Sequence, residues 1–179
     1  MKRFYLPLIL LLILVLEGVA LELLPVSLLK TDLLIVSHWV FVFLVFIAVF
    51  YDNDRTHFSV LYALIFGLLI DMVYTNLLGV YMFSYACTIY LIYGLKKLLH
   101  GNILVVALLG VVGLVVSDML IYLIYTVVGI TDTAWSDYFT SRLLPTVGSN
   151  LVFLLLLYPF FAKKLTDWGK DQITKGNTF

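Results

Sequence analysis

The sequence predicts an all-α integral membrane protein with six transmembrane helices and both termini on the cytoplasmic side. Three observations carry that prediction. Of 179 residues, 63% are hydrophobic, 16% aromatic and only 12% charged, with a mean hydropathy of +1.10, well beyond the range of a soluble domain. Apolar runs of near-spanning length recur along the chain, and the basic residues fall unevenly between the segments that join them. A crossing needs about 20 apolar residues, so six of them use most of the chain. A single polytopic domain over residues 1–179 is therefore expected, with no separate soluble unit. Membrane strands are excluded because they need alternating patterning, whereas these runs are continuously apolar.

The expected spans are 4–24, 33–51, 58–74, 80–95, 103–128 and 144–161. Pro25 closes the first, because proline cannot continue a helix. DNDR after Tyr51 separates the second from the third, and KKLLHGN separates the fourth from the fifth. Lys2 and Arg3, the apolar Leu6 to Leu16 and the small Gly18 and Ala20 also fit a signal peptide cleaved after Ala20. Leu21 to Leu24 prolong that run to spanning length, so a retained span is the expectation. Residues 162–179, AKKLTDWGKDQITKGNTF, read as a short solvated cytoplasmic tail with Trp168 at the inner interface.

Orientation follows from charge. With the N-terminus inside, the inner segments hold Lys2, Arg3, Arg55, Lys96, Lys97, Lys163, Lys164, Lys170 and Lys175, and the outer ones only Lys30 and Arg142. The positive-inside rule then places both termini in the cytoplasm. The inner basic residues read as topology determinants and contacts for anionic lipid, not as a nucleic-acid site.

Within that frame, Glu17, Asp71, Asp118 and Asn150 share the outer leaflet. An acid at a helix centre costs roughly 2.5–3.5 kcal/mol, so each calls for a partner. Glu17 and Asp118 lie about 10 Å from their outer ends. Asp71 lies closer, four residues before Thr75, where the headgroup region softens the cost, and Asn150 fits an ordinary helix-to-helix hydrogen-bonding residue. These four are expected to form a polar layer, either around an outward-opening cavity or in a dry seam. His38, beside Trp39, reads as a peripheral, interfacial residue. GLLIDMVYT from Gly67 and GLVVSDMLIYLIYT from Gly113 each place a glycine four or five residues before an acid. Gly67, Gly110 and Gly113 are accordingly candidate close-packing positions. In the external GITDTAWSDYFTSR, Trp135, Tyr138 and Phe139 are either an aromatic belt or candidate external contacts for a partner.

Enzymatic machinery is not visible. No GxxxxGK[ST] or HExxH motif occurs. The histidines His38, His57 and His100 fall at one outer boundary and two inner loops, too far apart for one metal. Ser117 beside Asp118 has no base at its depth. Cys87 is the sole cysteine, which removes a disulfide framework or cysteine cluster. No catalytic residue, metal or cofactor is expected, although membrane acids also line proton and solute paths.

GLLID near the end of the third span, the tight TNLLGVY turn and the last span LLPTVGSNLVFLLLLYPFF resemble the bacterial rod shape-determining MreD family. The resemblance covers nearly the whole chain. Its most specific positions are Gly67, Asp71, Gly79, Pro145, Asn150, Tyr158 and Pro159, and it adds Gly79 and Pro145 to the candidate packing positions. It implies a non-enzymatic plasma-membrane component of the cell-elongation machinery that partners MreC. It further implies regulation of lateral peptidoglycan synthesis by RodA and a class B penicillin-binding protein, with MreB as an indirect partner. The family is also similar in architecture to substrate-binding subunits of energy-coupling-factor vitamin transporters. An alternative is therefore a vitamin-binding transporter subunit with an outward-facing pocket, against which the short external loops argue.

Overall fold

A computed structural model describes residues 4–19, 33–54, 56–99 and 102–176. All regular elements among them are helical. They are α1 (Tyr5–Val19), α2 (Trp39–Phe46), which widens into a π turn (Ile47–Tyr51), α3 (Phe58–Tyr74), α4 (Val80–Lys96) and α5 (Ile103–Val128). The short α6 (Trp135–Asp137) runs through a second π turn (Tyr138–Leu143) into α7 (Leu144–Gly176). The possible cleavage after Ala20 and the charges of Lys2, Arg3, Lys30 and Arg55, with His100, lie outside the described residues.

α2 is the centre of the molecule. Every residue from Val40 to Ala48 is 0% exposed, as expected of a helix that is apolar on all sides. α1, α3, α4, α5 and α7 all pack on it or on its π turn. The outer faces of the surrounding helices instead carry exposed leucines and aromatics such as Leu8, Tyr90, Leu104 and Phe160. An apolar perimeter around an apolar core is the distribution that lipid, not water, stabilises. α5 and the helical stretch from Trp135 are each long and apolar enough to cross a bilayer. Tyr5–Val19, Trp39–Tyr51 and Phe58–Tyr74 are apolar but shorter.

Two expectations are corrected. The second apolar run, expected as one helix over 33–51, begins as a non-helical segment over 33–38 and becomes helical only at Trp39. Its main chain is held by α7: Val36 N donates to Thr146 Oγ1 at 3.1 Å, and Asn150 Nδ2 donates to Val36 O at 2.8 Å. Side-chain partners thus replace the helical ones that an apolar setting would otherwise require. The residues after 161, expected as a solvated tail, continue α7 instead. Ala162, Leu165 and Gly169 are buried, while Lys163, Lys164 and Asp167 are exposed, a one-sided spacing that lays this stretch against the bundle. Pro159 sits inside the helix without ending it.

Gly169 makes that docking possible. A Cβ there would lie 2.9 Å from Tyr51 O and 3.0 Å from Phe50 O. Gly169→Ala is therefore expected to lift the C-terminal part of α7 off the π turn at about 1–2 kcal/mol. Faster amide exchange and proteolysis beyond residue 162 would register this, and unchanged protection there would count against the docking.

Candidate functional site

The polar residues meet where the chain changes element. Three acids each accept amides from the start of another helix. Glu17 of α1 accepts Val40 N, in the first turn of α2, at 2.8 Å. Asp52 accepts Phe58 N at 3.0 Å, Ser59 N at 2.8 Å and Ser59 Oγ at 2.5 Å, closing the start of α3. Asp71 of α3 accepts Gly79 N at 2.9 Å, Tyr81 N at 2.9 Å and Met82 N at 3.1 Å, closing the start of α4. The residues that begin these helices, His38, His57 and Gly79, make no side-chain cap of their own. The first four N–H groups of a helix have no internal partner, and its N-terminus carries partial positive charge. A carboxylate supplied from a distant position answers both.

Asp71 works with Gly67, one turn earlier on the same face. A Cβ at Gly67 would lie 2.6 Å from Met82 Cα and 2.8 Å from Met82 N. The glycine lets α4 approach, and the acid four residues on receives the amides that this approach brings near. Gly79 supplies the turn with φ +96°, a conformation that glycine adopts readily.

Asp118 of α5 is the hub of the second arrangement. It is fully buried. Tyr138 Oη donates to its Oδ2 at 2.8 Å, Arg142 Nη2 donates to its Oδ1 at 3.1 Å, and His38 Nε2 lies 3.3 Å from the same Oδ1. His38 Nδ1 is 2.8 Å from Tyr85 Oη on α4, while His38 N donates to Asn150 Oδ1 at 2.7 Å. The second π turn brings Tyr138 and Arg142, one turn apart, to the same side. Tyr122 stacks on Tyr138 with ring centroids 3.9 Å apart and holds that ring in place.

The four candidates therefore sit in a connected polar region without all touching one another. Asp118 and Asn150 both engage His38, Glu17 engages the main chain two residues further on, and Asp71 joins through α4, whose Tyr81 and Tyr85 lie one turn apart. His38, expected at the periphery, is central and fully buried, because the non-helical entry, held on α7, carries it inward. Tyr138, expected among the external contacts, is buried on Asp118, whereas Trp135 and Phe139 remain exposed. A Cβ at Gly110 would meet Leu154 and one at Gly113 would meet Ile92 and Phe41, so both lie at close helix contacts. Pro145 lies in the first turn of α7.

Sequence reasoning missed Asp52, His38 as a hub, Tyr85 and Arg142. Lys96 also escaped it: its Nζ donates to Ala48 O at 2.8 Å and to Asp52 O, closing the end of the second helical segment. Burial pushes the Asp52 carboxyl above the usual range against the Ser59 and Phe58 donors and Lys96. Among the described residues no group of three or more histidine, cysteine or acidic side chains is placed to hold a metal ion.

This is the architecture of a helical membrane protein whose internal polar groups join its own elements. The chain belongs to the MreD family: the model of rod shape-determining protein MreD matches residues 2–166. It is 30% identical over 161 residues to the rod shape-determining protein MreD of Bacillus subtilis (strain 168), covering 89% of this chain and 92% of that relative. No solved structure matches. Membership supports a role in rod shape determination and does not favour the vitamin-transporter alternative.

Proposed function

We propose that the chain is a non-enzymatic scaffold of the cell-elongation machinery. It binds MreC and helps regulate peptidoglycan synthesis by RodA and a class B penicillin-binding protein, with MreB indirectly coupled on the cytoplasmic side. The observation that carries this reading is the engagement of the internal acids: half-buried Glu17 and buried Asp52, Asp71 and Asp118 all bind groups of other elements. Side chains used in this way fix a surface, which is what a scaffold presents.

Six crossings of the plasma membrane with both termini inside belong to the same proposal. Short connectors between α2 and α3, α3 and α4, and α4 and α5 favour alternating directions. The non-helical residues 33–38 can add up to about 20 Å of chain to about 20 Å of helix over 39–51, so the second crossing can reach bilayer thickness without a 20-residue helix. Lys96, Lys97, Lys163 and Lys164 then share the inner side.

Affinity purification from native membranes tests the scaffold. MreC and a synthase among the recovered proteins support it, whereas a vitamin with a coupling ATPase would overturn it. Asn150→Ala removes the partner of His38 N and Val36 O, and it is expected to reduce MreC recovery about tenfold, the effect of losing one or two buried hydrogen bonds. Membrane insertion should persist. Full MreC recovery with normal rod shape would contradict the proposed role of this residue.

A further inference from the structure

A cavity of about 300 Å³ opens between the α3–α4 turn and the end of α5, where Tyr74, Tyr81 and Tyr125 supply rings and Thr75 and Asn76 supply polar side chains. The fold fixes its walls. Thr75 Oγ1 donates to Asp71 O at 3.0 Å and to Leu77 O at 3.1 Å. Gly129, with φ +78°, turns the chain so that Ile130 N donates to Tyr125 O at 2.9 Å. The three phenols differ in what they have left to offer. Tyr74 Oη is spent on Leu14 O. Tyr125 Oη is bonded to Thr75, whose own proton goes to main-chain carbonyls, so the phenol donates and keeps a lone pair for accepting. Tyr81 is half-buried, and among the described residues neither its Oη nor the exposed Asn76 side chain has a hydrogen-bond partner.

Among the described residues no charged side chain lines the cavity. Asp71, beneath the turn, is committed to three amides, and Arg142 to Asp118. A ligand that suits this lining must both donate and accept. An anion only accepts and an ammonium only donates, and either would enter without a counter-charge. Water does both, but it leaves the tyrosine rings, Leu77 and Ile130 without apolar contact. A molecule with C–H faces and hydroxyl edges meets all of them, because tyrosine itself joins an apolar body to a polar tip. The volume stands at the small end of ligand sites, which suits a single ring. Next to the cavity in the chain, Leu78, Val127 and Val128 are 69%, 84% and 51% exposed, an apolar flank on which a lipid's chains could lie.

We propose that this cavity is a binding site for a neutral, hydroxyl-rich ring of the size of one hexose, carried by a lipid headgroup or free in solution. Tyr81 Oη and Asn76 exchange hydrogen bonds with its hydroxyls, Tyr125 Oη accepts one, and the rings of Tyr74 and Tyr81 cover its C–H face. The site goes beyond the scaffold reading and does not depend on it.

Native mass spectrometry of the purified full chain, in a detergent without a sugar headgroup, tests the site with four probes: glucosyl diacylglycerol, diacylglycerol, phosphatidylglycerol and methyl β-glucoside. One glucosyl diacylglycerol should bind per chain, about tenfold or more tighter than either of the other lipids, the effect of one or two hydrogen bonds. Methyl β-glucoside binding as tightly, or alone, assigns the site to a free sugar; weaker binding assigns it to a lipid headgroup. Tyr81→Phe deletes a hydroxyl that the fold leaves unused and keeps the ring, so it should melt like the wild type and bind the preferred probe about tenfold less tightly. Ile130→Trp fills the space and should abolish binding. Tyr90→Phe, at a 64% exposed position elsewhere on α4, should bind normally. No binding of either sugar probe, equal binding of the anionic or sugar-free lipid, or wild-type affinity in Tyr81→Phe overturns the inference. So does a lowered melting temperature in Tyr81→Phe, which would show that the hydroxyl is used within the chain. None of these measurements reads MreC recovery, so the scaffold proposal stands or falls separately.

Discussion

Asp118→Ala is expected to abolish cooperative folding or to lower stability by about 3–5 kcal/mol, the range for removing one partner of a buried ion pair. The substitution leaves Tyr138 Oη, Arg142 Nη2 and His38 Nε2 facing a methyl group. Arg142 has a side chain 23% exposed and so recovers some solvation, which places the effect toward the lower end. His38 and Tyr138 are buried and recover none. Against a total stability of about 5–15 kcal/mol for a folded domain, this is a large fraction. Asp118→Asn retains the shape and an acceptor for Tyr138 but removes the charge opposite Arg142, and an intermediate loss should follow. Tyr138→Phe removes one donor and should cost about 1–2 kcal/mol. Because the two residues share a bond, the double substitution should be less damaging than the sum of the single ones. Thermal melting in detergent would measure all four proteins. A change for Asp118→Ala within about 0.5 kcal/mol of wild type, as surface substitutions show, would remove the network from the account of stability.

How far this arrangement could be read from the sequence varied with the kind of signal. Glu17, Asp71, Asp118 and Asn150 were legible because hydropathy makes a polar residue inside an apolar run conspicuous. Gly67 with Asp71 was legible as a shared face, since residues four apart lie one above the other. His38 is misplaced by the sequence because LLIVSHWVFVF reads as one uninterrupted span, and composition does not show that its first six residues are non-helical. What holds their main chain instead is Thr146 and Asn150, more than 100 residues away. Asp52 was hidden in DNDR, where an acid looks solvated. Tyr85 had no signal either, since tyrosines at 81, 85, 90 and 93 all resemble an interfacial belt. The one-sided spacing of Ala162, Leu165 and Gly169 was present in the sequence, but the lysines between them suggested a solvated tail.

The second large effect is expected at the junction of α3 and α4. Gly67→Ala places a Cβ 2.6 Å from Met82 Cα and 2.9 Å from Tyr81 O. Both obstacles are main chain, so no rotamer change relieves them, and the first turn of α4 must move. That turn carries the Tyr81 and Met82 amides that bind Asp71, so the glycine substitution also stretches the acid's hydrogen bonds. A destabilisation of about 2–3 kcal/mol is expected from overpacking of this kind. Asp71→Ala removes three amide partners from a helix N-terminus at once and should cost about 3 kcal/mol, somewhat above an ordinary lost cap. Asp71→Asn, with one oxygen left to accept, should fall between. Because Gly67 and Asp71 act on the same turn, their double substitution should fall short of the summed losses by about 1 kcal/mol or more. Amide exchange locates the cause: Gly79, Tyr81 and Met82 should lose protection in either single variant, while the start of α3, held by Asp52, keeps its own. Additive losses, or exchange that rises evenly over the molecule, would mean that GLLID does not act as one docking unit for α4.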